Sequence, residues 1–133
     1  MKVENKVMPS PEQARATFLA PEDGPIVMVN LLKFKEKATY GSGEAVTGRE
    51  AYMRYGARMR GLVEKSGGRF IFTGDVVRLM LGEVEDLWDA VGIVEYPSRA
   101  AFRAITQSPE FHEIELHRIA GLAGQLNIET KQR

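Results

Sequence analysis

Pro25-Ile26-Val27-Met28-Val29-Asn30-Leu31-Leu32-Lys33-Phe34-Lys35 is the strongest strand signal in the chain. Side chains along a strand alternate between faces, so Met28, Asn30, Leu32 and Phe34 share one side, and Val27, Val29, Leu31 and Lys33 the other. Both sides are apolar, and each carries one polar group. An amide or ammonium among such residues needs a partner, because an unsatisfied buried polar group is costly. A strand apolar on both faces must also be covered on both faces.

The flanks supply the other elements. Upstream, Ser10-Pro11-Glu12-Gln13 is a capping box with proline at the first helical position, predicting a short helix to about Ala20. Downstream, residues 37–46 with Gly41-Ser42-Gly43 are expected to be a mobile surface loop. Thr47-Gly48-Arg49-Glu50 is a second capping box. Behind it Tyr52, Tyr55, Met59, Leu62 and Val63 recur at helical spacing until Gly67-Gly68. A long strand is expected from Arg69 to Leu81 with a bulge at Gly74-Asp75, then an acidic turn over Gly82–Asp86 and a third strand from Trp88 to Tyr96. Ser98 and Ser108-Pro109 cap two helical pieces with a break between them. Gly121–Gly124 is expected to turn the chain into a last strand, Gln125–Thr130.

The order is a helix followed by β-α-β-β-α-β. It specifies an α+β, ferredoxin-like fold: an antiparallel four-stranded sheet with two helices on one face and an extra N-terminal helix. Residues 1–24 are expected to form that helix and a linker, and residues 25–130 the main domain. Helices cover one face of the sheet only, so a homodimer with two sheets meeting face to face is expected to cover the other.

Composition narrows the function classes. The chain has 133 residues, with 18 Lys and Arg against 18 Asp and Glu. A balanced charge offers no field for nucleic acid or an anionic membrane. Cysteine is absent, which removes disulfides, thiolate chemistry and cysteine-held metals. No apolar run approaches the roughly 18 residues of a membrane span, and a cytoplasmic protein is expected. No glycine-rich phosphate loop or nucleophile elbow is present.

Several of these segments together resemble a known family: Val29-Asn30-Leu31-Leu32-Lys33-Phe34, the Tyr52…Tyr55 helix, Gly67-Gly68, Trp88-Asp89, Tyr96-Pro97-Ser98, Ser108-Pro109-Glu110-Phe111 and His117-Arg118. Their order is similar to that of DUF1330, a domain of unknown function among the dimeric α/β barrels. The resemblance spans about residues 24–128. It implies a ferredoxin-like fold and a dimer, and assigns no chemistry. Related barrels include small monooxygenases, isomerases and haem-handling proteins.

The candidate site residues interrupt apolar faces. Asn30 is either an amide bonded to a neighbouring strand or a hydrogen-bonding group in a pocket. Lys33, on the opposite face, reads as a rim residue with its ammonium in water. Tyr52 and Tyr55 lie on the apolar stripe of the long helix, with Tyr55 the better pocket candidate. His112 and His117 are about 140° apart on a helix and form no metal pair. His117, four residues after Glu113, is explained by a helix-surface pair and is also the candidate acid or base. Arg118 is expected to pair with Asp89 or Glu95, or to bind a carboxylate substrate through its fork. Trp88 and Tyr96 bracket the third strand as core, interface or pocket-wall residues.

The expected protein is therefore a small dimeric barrel that binds a small aromatic or carboxylate molecule, or acts on it without a cofactor or metal. His117 and Tyr55 are its candidate catalytic residues, and Asn30, Tyr96, Arg118 and Trp88 its candidate substrate-binding residues. The alternatives are a non-catalytic dimerisation and stability module, and a haem-binding protein using His112 or His117.

Overall fold

The four capping serines and threonines act as their spacing predicts. Ser10 and Thr47 each accept from the backbone N–H three residues on, while Gln13 and Glu50 reach back to close the box. Ser98 and Ser108 cap in the same way without the return bond. The computed structural model describes residues 1–133. Its elements in chain order are α1 (Pro11–Phe18), β1 (Ile26–Phe34), α2 (Gly48–Lys65), β2 (Arg69–Asp75), β3 (Ala90–Tyr96), α3 (Arg99–Thr106), α4 (Pro109–Gly121) and β4 (Leu122–Thr130). No helix is long and apolar enough to cross a membrane.

All strand pairings are antiparallel, in the order β2-β3-β1-β4. This is the expected ferredoxin-like topology. The register sets Met28 against Val94, Asn30 against Gly92 and Asn127, and Leu32 against Ala90 and Gln125. That side of the sheet faces the helices. Ile26, Met28, Met59, Val63, Ile105 and Ile114 are buried there in one cluster. On the N-terminal side, Lys6 bridges to the outer edge of β4 through Gln125. α1 lies on α3, where the Phe18 and Phe102 rings are 5.6 Å apart.

Several expectations are corrected. The second strand ends at Asp75, not Leu81. Val76 N–H still donates to Asp89 O at 2.9 Å, but β3 begins at Ala90 and no further strand pairs with residues 77–81. Apolar alternation cannot hold a strand without a ladder partner. Val77, Leu79, Met80 and Leu81 are consequently exposed. The register shift lies between Phe70 and Phe72 rather than at Gly74-Asp75. Gly74 instead makes room for the Phe72 ring, which a Cβ there would meet at 2.6 Å.

The loop between β1 and α2 is laced down rather than free. Lys35 and Thr39 N–H groups donate to the carbonyls of Gly121 and Ala120, and Lys35 Nζ donates to Ile119 O at 3.1 Å. These are the end carbonyls of α4, which have no partner within the helix. With them satisfied from outside, Leu122 enters β4 directly in an extended conformation (φ −92°, ψ 127°). The turn expected over Gly121–Gly124 is absent for that reason. Lys33 is also anchored, not loose at the rim. Its ammonium donates to Leu87 O at 2.9 Å and pairs with Asp86 at 2.9 Å, which holds its pKa above the usual lysine value.

Candidate functional site

α2 and α4 pack closely on each other, and Met59, Val63 and Ile114 on them share a buried cluster with Ile26, Met28 and Val94 of the sheet. Their contact is tightest where Gly121 meets the start of α2: a Cβ on Gly121 would lie 2.5 Å from Gly48 O and 2.8 Å from Tyr52 N. Held together this tightly, the two helices form a roof over part of the sheet. Beneath it is a cleft of about 1200 Å³ with a predominantly apolar lining. β1 and β3 provide its floor with Met28, Asn30, Leu32, Gly92 and Val94. α2 contributes Tyr52 and Tyr55, α4 contributes Phe111 and Arg118, and residues 7–9 and Phe18 stand at the rim.

A one-way hydrogen-bond relay crosses this floor. Arg118 Nη2 donates to Gln125 Oε1 at 3.0 Å, and Gln125 Nε2 donates to Asn30 Oδ1 at 2.6 Å. Asn30 Nδ2 then donates to Gly92 O at 3.1 Å. A guanidinium can only donate, so it fixes the orientation of both amides. Asn30 thus finds its partners inside the protein, on the neighbouring strands. Arg118 pairs with neither Asp89 nor Glu95. Asp89 accepts from Phe34 N–H at 2.9 Å, and Glu95 faces Arg69 on the opposite side of the sheet.

The phenols differ from the amides. Tyr52, Tyr55 and Tyr96 line the cleft, and none of their hydroxyls is hydrogen-bonded to a protein group. Their rings are well packed, with Tyr52 and Tyr55 centroids 5.4 Å apart and Tyr96 and Phe102 4.6 Å apart. Burial pushes the Tyr52 phenol up to about 12, with the positive charge of Arg118 opposing the rise. Tyr55 and Tyr96 are raised further, by burial first and by neighbouring phenols second. All three keep their protons at neutral pH.

His117 and Trp88 lie elsewhere. His117 is on the outer side of α4, where its Nδ1 meets the Tyr40 hydroxyl at 2.5 Å. Its pKa is lowered by burial and by the nearby charges of Arg54 and Arg58. Glu113, its expected partner, faces Arg58 instead. Trp88 donates from Nε1 to Asn5 Oδ1 at 2.7 Å, at the foot of the sheet. Of the six residues singled out from the sequence, Asn30, Tyr55, Tyr96 and Arg118 come together at the cleft. Gln125, which joins two of them, was not singled out. The cue was available in the alternation of Gln125, Asn127 and Glu129 along β4.

A haem in the cleft would find no histidine at its centre. His112 is exposed at the mouth and faces Glu115 at 3.8 Å, and His117 is outside. No group of three or more His, Asp or Glu side chains converges anywhere in the chain.

The family model of DUF1330, a domain of unknown function, matches residues 42–129. No curated protein matches the sequence. The solved structure of RPA0582, a protein of unknown function from Rhodopseudomonas palustris, is 33% identical with a TM-score of 0.87, covering 98% of each chain. A dimeric ferredoxin-like protein of unknown function from Jannaschia sp. is 15% identical with a TM-score of 0.53, over 82% of this chain and all (100%) of that one. A Dabb family protein with a ferredoxin-like fold from Mesorhizobium loti is 11% identical with a TM-score of 0.51, over 84% of this chain and 99% of that one.

Proposed function

The chain belongs to the DUF1330 family, a domain of unknown function, and from the geometry of its cleft we propose that it binds a small aromatic molecule between sheet and helices, as a cytoplasmic homodimer. One observation carries the binding reading. On the floor of the cleft the amides of Asn30 and Gln125 are satisfied internally, whereas the phenols of Tyr52, Tyr55 and Tyr96 have no protein partner. The hydroxyls are not sealed in the core but open to the cleft space, and several open donors around an apolar lining suit a ligand with its own acceptors. The protonated phenols act as donors rather than bases, so binding is a better-supported role than proton abstraction.

Gly92 offers a clean test. It faces the cleft opposite Asn30, and a Cβ there meets nothing within 4 Å. Gly92→Leu is expected to fold normally and obstruct the cleft floor beside Asn30. With wild type, saturating 2-naphthamide or 2-naphthoate should raise Tm by about 3 °C or more through preferential binding to the folded state. Gly92→Leu should lose that shift. If neither compound shifts or binds wild type, the non-catalytic stability module becomes the better account.

The homodimer rests on the other face of the sheet. Phe72, Ile93, Val29 and Ile128 form one apolar row across all four strands, with Leu31, Val91 and Leu126 beside it. Phe72 is 53% and Ile128 44% exposed in the single chain. A second copy of the same sheet is the partner whose shape and polarity fit this face. The Jannaschia protein, described as dimeric, has the same fold. Sedimentation equilibrium should give a dimer at micromolar concentration, and Phe72→Glu should weaken it by about a hundredfold or more, since two-fold symmetry repeats the change. A wild-type monomer at these concentrations would contradict the dimer.

A further inference from the structure

The relay also has a consequence for the charge of the ligand. Both amide oxygens are consumed, Asn30 Oδ1 by Gln125 and Gln125 Oε1 by Arg118. The guanidinium keeps Nε and Nη1 without a protein acceptor, and its one hydrogen-bond partner is a neutral amide. Arg118 is half-buried at the cleft, and no carboxylate lies within ion-pair distance of it. Glu115, one turn earlier on α4, is the acid closest in sequence and also lines the cleft, but its carboxylate faces His112 at 3.8 Å. The phenols of Tyr52 and Tyr55 line the same cleft, and the positive charge of Arg118 acts on both. Apart from the Glu115 carboxylate, which also acts on Tyr55, the open groups on this side of the cleft are the guanidinium N–H groups and the phenol hydroxyls, all able to donate. A partly desolvated guanidinium fork with open N–H groups is completed by a carboxylate, which accepts two parallel bonds.

We propose that the cleft takes its ligand as an aromatic carboxylate seated on Arg118, and that Gln125 and Asn30 are positioning residues that hold the guanidinium toward the phenols. The ligand's ring lies in the apolar part of the cleft. Its carboxylate accepts from Arg118 and from the Tyr52 and Tyr55 hydroxyls. This proposal rests on the cleft being a ligand site, and the measurement separates the two claims.

Isothermal titration of the full chain with 2-naphthoate and with its neutral analogue 2-naphthamide reads the charge preference directly. The carboxylate should bind about tenfold tighter or better, the usual worth of a charge-assisted bond. Arg118→Met should remove that ratio while leaving 2-naphthamide binding within about twofold. Glu115→Gln should tighten 2-naphthoate alone. Gln125→Glu keeps the side-chain shape and gives Arg118 an internal carboxylate, at the expense of the bond donated to Asn30 Oδ1, so it should abolish the ratio without abolishing 2-naphthamide binding. Loss of fold alone would weaken both ligands together. Equal affinity of the two ligands for wild type, or a ratio unchanged in Arg118→Met, overturns the carboxylate assignment and leaves the cleft reading standing. Failure of both ligands to bind overturns the cleft reading itself.

Discussion

Replacing Gly48 with alanine is expected to destabilise the protein by about 3 kcal/mol or more, a loss at the upper end of what overpacking causes. A Cβ at this position would lie 2.1 Å from Lys35 O, 2.6 Å from Gly121 O and 2.7 Å from Lys35 N. All three atoms are backbone, so no rotamer change relieves the clash. Gly48 opens α2, donates its N–H to Lys35 O at 3.1 Å, and sits where β1, α2 and α4 converge. Relief would require the helices to part from each other. Urea unfolding of Gly48→Ala against wild type checks the magnitude. Gly56→Ala is the control: its Cβ meets nothing within 4 Å, and on helix propensity it should be neutral or stabilising. Equal stability of Gly48→Ala and wild type would mean that the close approach is not real.

Ile114→Ala should remove about 3 kcal/mol, and Tyr55→Phe should change stability by less than about 0.5 kcal/mol. Ile114 is 1% exposed on α4 and packs in the cluster with Tyr55, Met59 and Val63. Truncation there loses both the transfer of the side chain out of water and the contacts around the void. Tyr55 is nearly as buried, at 8% exposed, yet its hydroxyl holds no protein bond, so deleting that oxygen leaves no group orphaned. The pair distinguishes residues that hold the roof in place from residues that face what lies beneath it. Tyr55→Phe should retain stability and weaken 2-naphthoate binding, whereas a large stability loss would mark the hydroxyl as structural.

What was legible in the sequence follows from how local each determinant is. Helix starts at Ser10, Thr47, Ser98 and Ser108 depend on a few consecutive residues, and all four were readable. Strand ends were not, because they are set by the partner. β2 stops where β3 stops matching it, and β4 starts early because residues 35–39 cap α4 from another part of the chain. The side of the sheet that Asn30 occupies was readable from alternation. Its partners required the register that sets it beside Gly92 and, two pairs along on the same face, Gln125.

Arg118 lines the cleft, but its partner is not one of the expected carboxylates. Asp89 and Glu95 carry the complementary charge, but the nearest acceptor proved to be a neutral amide on the strand that follows α4 without a turn. Charge matching alone could not show that. His117 could have been separated from Arg118 beforehand. Adjacent helical residues are about 100° apart, so when one points under the roof the other points away.

The central claim is that the space between sheet and helices is a ligand site organised on Arg118. A crystal structure of the protein grown with 2-naphthoate tests it most directly. The account predicts density under α2 and α4, with the ring between Met28 and Tyr55 and the carboxylate within hydrogen-bond distance of Arg118 and of the Tyr52 or Tyr55 hydroxyl. It would be contradicted by a cleft closed by its own side chains, with the carboxylate bound elsewhere or not at all.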